Sequence, residues 1–137
     1  MAKRFQFDKQ LRAFKKLKRT MARKTAANSK RHFQQSFRNQ GWTDTVLTAW
    51  DKRKAAKDKR PGRAVLVDSG NLRGSIRVKS VSFPISRIGS YNIKYNRFHN
   101  RGTSILPKRQ FIGSSRALTR SNSKIINLEL SKLLRIR

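Results

Sequence analysis

Leu66-Val67-Asp68-Ser69-Gly70-Asn71-Leu72-Arg73-Gly74-Ser75-Ile76-Arg77-Val78-Lys79-Ser80 changes its rhythm halfway along, and that change decides the fold class. In its first half a short apolar run ends in Asp68-Ser69-Gly70. Asp68 or Ser69 can cap a single helical turn that reaches Gly74. Gly70 permits a tight entry that a side chain would forbid. Leu72 and Ile76 lie four apart and can bury together. From Ile76 onward, Ile76, Val78 and Ser80 alternate with Arg77 and Lys79, the period of a half-buried strand. A helical turn feeding directly into a strand places both element types in one unit.

Downstream, Val81, Phe83 and Ile85 continue the two-residue spacing on the opposite parity, which predicts a bulge near Ser80. Pro84 marks an edge or a turn, and Arg87-Ile88-Gly89-Ser90 reads as the returning strand. Residues 91–98 are aromatic-rich and fit neither period. His99-Asn100-Arg101-Gly102-Thr103 is expected to turn, with Gly102 allowing the reversal. Residues 105–111 are expected to be extended, Pro107 holding the approach and Phe111 plugging the core before the next helix. That helix is expected over 113–136. Leu118, Ile125, Leu128 and Lys132 form one line along it, with Ile126, Leu130, Leu133 and Leu134 on a broad adjoining face.

Upstream, residues 8–39 contain no Pro and no Gly. A three-four spacing runs through Leu11, Phe14, Lys18, Met21, Thr25, Asn28 and His32, and Leu17, Ala22, Ala26, Phe33 and Phe37 widen it. The pattern predicts a long, basic amphipathic helix with a weakly hydrophobic middle. Gln40-Gly41 is a helix stop with Gly41 at the position just past the cap. Residues 42–50 read as an irregular connector whose two tryptophans anchor against the helix. Residues 51–63 read as an exposed basic loop broken at Pro61-Gly62. The expected architecture is α+β, a single domain over 1–137. Its long N-terminal helix and C-terminal helix pack on a small, mostly antiparallel sheet spanning 64–112.

The composition is strongly one-sided. The chain of 137 residues has 35 Lys+Arg against 6 Asp+Glu, a formal net charge of +29. Such a surplus repels itself and attracts polyanions or acidic protein surfaces. Contact with DNA phosphates would be salt-dependent and indifferent to base sequence. Lys15, Lys16 and Arg19 on the helix, with Arg53, Lys57 and Arg60 on the loop, are the candidate polyanion contacts. With no cysteine, disulfides and thiolate chemistry are excluded, consistent with assembly in a cytoplasm. No apolar run approaches the length that spans a bilayer, and residues 1–7 lack the apolar core of a secretory signal.

Reactive constellations are sparse. Asp44, Asp51 and Asp58 recur every seven residues, but among lysines and arginines they read as charge balance rather than a hard-metal site. His99 and His32 read as structural hydrogen-bonding residues. No phosphate-binding loop, nucleophile elbow or dinucleotide motif is present. The reading is non-enzymatic, with no catalytic residue, cofactor or metal.

Several segments, in order, resemble the phage virion-morphogenesis (tail-completion) family and the related head–tail joining proteins. Residues 66–76 are similar to its L-x-x-S/T-G-x-L-x-x-S-I signature. Ile88-Gly89-Ser90, then Tyr91 or Tyr95, then Phe98-His99-Asn100-Arg101-Gly102-Thr103 resemble its v-G-s … Y-A-x-x-H-x-x-G. Leu106-Pro107-Lys108-Arg109-Gln110-Phe111-Ile112-Gly113 resembles i-P-x-R-x-F-L-G ahead of a terminal helix. Phe37 to Trp42, with Trp50 following, is similar to F-x-x-x-G-W … W. Gln110 stands where proline is common, and Tyr95-Asn96 replaces a Tyr-Ala pair. The resemblance implies a structural virion protein at the head–tail junction or tail end. Its working form would be a homo-oligomeric ring touching other neck, portal or tail proteins, without a membrane. Ser69, Gly70, Leu72, Ile76, His99, Gly102, Pro107 and Phe111 would be its shape-fixing residues. The alternative is a free nucleic-acid-binding protein of ribosomal or chromatin-like type.

Overall fold

A computed structural model describes residues 2–53 and 62–135. The chain is α+β, in the order α1 (Ala2–Asn39), β1 (Gly41–Thr43), β2 (Leu47–Ala49), α2 (Asn71–Gly74), β3 (Ile76–Ser80), β4 (Arg87–Ser90), α3 (Asn96–Arg101) and α4 (Arg116–Arg135). The strands form two separate two-stranded antiparallel sheets, β1–β2 and β3–β4, rather than one.

Helix α1 begins well before the expected Asp8 and runs for 38 residues, about 57 Å at the usual rise. Leu17, Met21, Ala22, Ala26, Phe33 and Phe37 are its buried apolar positions. Its weakly hydrophobic middle has a specific purpose. Small residues there let α4 approach, and a polar seam joins the two helices. Asn28 Nδ2 donates to Ser121 Oγ at 3.0 Å and to Asn122 Oδ1 at 2.9 Å, and Asn122 Nδ2 donates to Ser29 Oγ at 3.2 Å. One turn away, Lys24 and Lys132 both hold Glu129, whose side chain is 9 % exposed. Asn28 meeting Asn122 while Lys24 meets Glu129 makes the pair antiparallel.

The end of α1 corrects the expectation at Gly41. The left-handed residue is Gln40, at φ 51. Its side chain compensates the strain, donating to Phe37 O at 2.6 Å and to Val65 O while its Oε1 accepts from Val65 N. Gly41 is needed for another reason, since a Cβ there would sit 2.5 Å from Thr48 O across the β1–β2 hairpin. The supposed irregular connector is thus a hairpin, with Trp42 opposite Thr48. Its strands are only three residues long, too short to show a period.

Asp44, at the hairpin turn, organises the start of α4. Its Oδ1 accepts from Arg116 N and its carbonyl from Ala117 N, each at 2.7 Å. Ser115 Oγ then accepts from Leu118 N at 3.1 Å, a side-chain cap on the first turn. Helix α4 therefore starts at Arg116, not Gly113.

β3 and β4 pair as expected, with the register shift falling between Val78 and Ser80. Val81, Phe83 and Ile85 do not continue the strand. They lie exposed in a turn tied by Ser86 Oγ to Ser82 O at 3.1 Å. The segment 105–111 lies outside both sheets. Its core contact is nonetheless as expected, with Phe111 0 % exposed. Phe111 meets Phe37 with ring centroids 5.2 Å apart, and Phe37 meets Trp50 edge-on at 5.6 Å. Both tryptophans anchor against α1, Trp42 stacking on Phe33 at 6.2 Å. Leu72 and Ile76 bury together in the same cluster.

Phe111→Ala should lower the unfolding free energy by about 3–5 kcal/mol, the range for emptying a buried aromatic site, read from urea denaturation. Glu129 gives a pH signature. The hydrogen bonds from Lys24, then Lys132, hold its carboxyl below the usual range. A depressed folded value means the stabilisation is complete above the unfolded value, about 4.3, and disappears as pH falls through the folded one. The stability gap between the native chain and Glu129→Gln should stay constant from neutral pH to about 5 and close below about 4.

Candidate functional site

The turn at 68–72, α3 and the incoming segment 107–111 surround a cleft of about 440 Å³. Gly70 precedes α2 with φ 80, a left-handed conformation suited to glycine. The N-cap position of α2 is held by Gly70, which has no side chain, rather than by Asp68 or Ser69. Ser69 Oγ accepts a long 3.4 Å bond from Asn71 N. Leu72, 4 % exposed, forms the floor with Val65 beside it.

His99 lies on α3, not in a turn. Residues 96–101 coil because Phe98 N and His99 N both reach back to Tyr95 O. The reversal comes at Gly102, φ 76, where a Cβ would be 2.9 Å from Lys108 N. That close approach folds half-buried Pro107 and its neighbours back along α3, and Arg109 N donates to His99 O at 2.8 Å. Asn100 completes the clamp. Its Oδ1 accepts from Phe111 N and Ile112 N, and its Nδ2 donates to Ile112 O at 3.0 Å.

The electrostatics of the cleft are unusual for a core margin. Arg109 is 8 % exposed. Its Nε and Nη2 both donate to the backbone carbonyl of Asp51, at 3.2 and 3.0 Å. Burial lowers its pKa; the Asp51 carboxylate opposes that, and the nearby Arg53 charge reinforces it. His99 is also pushed down, first by burial and then by Arg109. Its Nδ1 is buried with no hydrogen-bond partner among the described residues. His32 behaves similarly beside Trp42, with an unpartnered Nε2 and a pKa lowered by burial against a hydrogen bond with the Thr43 backbone.

The remaining basic positions divide. Lys15, Lys16 and Arg19 are exposed on α1 around a shallow groove shared with Arg12 and Arg23. None of the three makes an ion pair among the described residues. Arg53 lines the cleft instead, with Val65, Leu72 and Arg109. Lys57 and Arg60 lie outside the described residues, as does Asp58. Among the described residues no group of three or more His, Asp or Glu could hold a metal ion, and no helix is long and apolar enough to cross a membrane.

Sequence reasoning missed Gln40, Asp44, Asn100 and Arg109 as organising residues. Each acts on backbone far from itself in sequence, and no local pattern signals that. No protein-family model, curated protein or solved structure matches the chain.

The two glycines of this site should respond differently to alanine. Gly70→Ala meets open space and bears only the left-handed penalty, about 1–2 kcal/mol. Gly102→Ala adds a backbone clash and should cost clearly more, measured as the difference in thermal unfolding between the two variants.

Proposed function

We propose that this chain is a structural subunit of a phage particle, a tail-completion or head–tail joining protein working as one copy in a ring. One observation carries the reading. The segments that resemble the family pack into one aromatic core, while long helical faces outside that core are left uncovered. Helix α4 meets Lys24 of α1 at Glu129 and ends at Arg135. Six further residues of an antiparallel helix reach back only to the level of Lys18. The preceding turns of α1 therefore extend past α4, with Phe7 64 %, Leu11 40 % and Phe14 44 % exposed on one face. On α4, Leu128, Leu130 and Leu134 are also exposed. Apolar side chains at i, i+4 and i+7 on a protruding helix suit burial against neighbouring subunits.

The charge sets the terms of assembly. Copies carrying +29 each repel unless an acidic neighbour or DNA compensates them. Lys15, Lys16 and Arg19 supply the compensable surface, either docking on an acidic neck, portal or tail protein or facing DNA that passes through the ring. Chemistry in this reading is assembly, and no bond is made or broken.

The α1 cations also favour a second reading, a free basic nucleic-acid-binding protein. Hydrodynamics separates the two. A ring former gives a discrete oligomer, or joins only on a phage connector; a free binder co-sediments with RNA and is monomeric after a high-salt wash. Electron microscopy of particles should place this chain at the neck or tail end, and particles assembled without it should contain heads and tails that fail to join. Recovery of the chain in cellular ribonucleoprotein and never in a particle would end the proposal. Changing Lys15, Lys16 and Arg19 together to Gln should reduce the slope of log affinity against log salt for duplex DNA by up to about 3 if all three meet phosphates.

A further inference from the structure

We propose that the cleft between the Ser69-Gly70 turn, α3 and Arg109 receives the carboxylate of an acidic side chain on a partner protein, with an adjacent apolar side chain of that partner against its wall. The cleft has two unlike sides. Val65, Leu66 and Leu72 make an apolar wall, and Arg53, His99 and Arg109 make a basic one.

Arg109 is the centre of the argument. A guanidinium removed from water is ordinarily matched by a carboxylate. Here its two hydrogen bonds go to the peptide carbonyl of Asp51, whose carboxylate offsets part of its charge without forming an ion pair with it among the described residues, and Nη1 makes no hydrogen bond among them. Arg53 adds a second positive charge from the same side and donates to Ala64 O at 3.4 Å. Among the described residues the one carboxylate on the rim is Asp68, which holds Arg63 at 2.9 Å and is 72 % exposed. His99 lines the same side as a further polar group. Burial and Arg109 both favour its neutral form, so the imidazole can donate to an oxyanion without a charge of its own.

Shape chooses the occupant. A planar guanidinium fork suits carboxylate and phosphate alike. A nucleic-acid strand, however, would have to lay sugar and flanking phosphates on the apolar wall of a concave site. A Glu or Asp beside a Leu-like residue satisfies both sides. The proposal is independent of the neck reading, since it concerns a protein contact in any assembly.

The test uses the full chain, isotopically labelled, at physiological salt, titrated with acetyl-Leu-Glu-Leu-amide and with its Gln counterpart. Resonances of Gly70 and His99 should shift with the Glu peptide and not with the Gln peptide. Arg53→Gln should weaken binding about tenfold, the loss of one charge-assisted hydrogen bond, and Arg109→Lys should weaken it further. Lys15→Gln should leave it unchanged. Because Arg109 also ties Asp51, its variant risks the fold; Arg53→Gln at the rim keeps the test decisive. Equal binding of the two peptides, shifts spread evenly over α1 and the cleft, or an unchanged affinity in Arg53→Gln would each overturn the proposal. So would a short DNA duplex that perturbs Gly70 and His99 where the Glu peptide does not.

Discussion

The contact between Phe37, at the end of α1, and Phe111, on a segment with no regular structure, holds the two halves of the molecule together. Phe111 can reach α1 only if the backbone around it finds hydrogen bonds without a sheet, because buried peptide groups cannot be left unpaired. Asn100 supplies them, gripping Phe111 and Ile112 from α3. Gly102 makes the return path short enough, and Trp50 Nε1 closes the other side by donating to Gln110 O at 2.9 Å. The turn at Gly70, the two hairpins and the start of α4 all pack around that junction.

The same economy governs charge. Of the six acidic residues in the chain, three have clear structural tasks among the described residues. Glu129 ties two lysines between the long helices, Asp44 starts α4, and Asp68 holds Arg63. Little acid is left to neutralise the outer face of α1. A helix so arranged gains from polar packing inside and keeps its positive field outside, available to whatever lies against it.

Much of the fold was legible in local pattern. The turn at residues 70–74, the β3 strand, its bulge after Val78 and the return at Arg87 follow from side-chain parity and one glycine. The long helices follow from three-four spacing and from the absence of Pro and Gly. Gly102 as a reversal was also readable, because it depends on neighbours within a few residues, and so was Phe111 as a core plug, as a large apolar side chain leading into a helix. The β1–β2 hairpin was hidden because strands of three residues carry no period. His99 on a helix rather than in a turn was hidden because α3 is a single turn among aromatics, where neither period dominates.

By itself, then, the amino-acid order determined the two long helices, the α2–β3–β4 succession and the charge. These depend on backbone sterics and on spacing along one helix or strand, both local quantities. Only the tertiary structure decided which carbonyl Arg109 would find, that Asp44 would serve a helix 72 residues away, and that an apolar wall would face two arginines across one cleft. Those partners are far apart along the chain, and their meeting depends on the packing of every element between them.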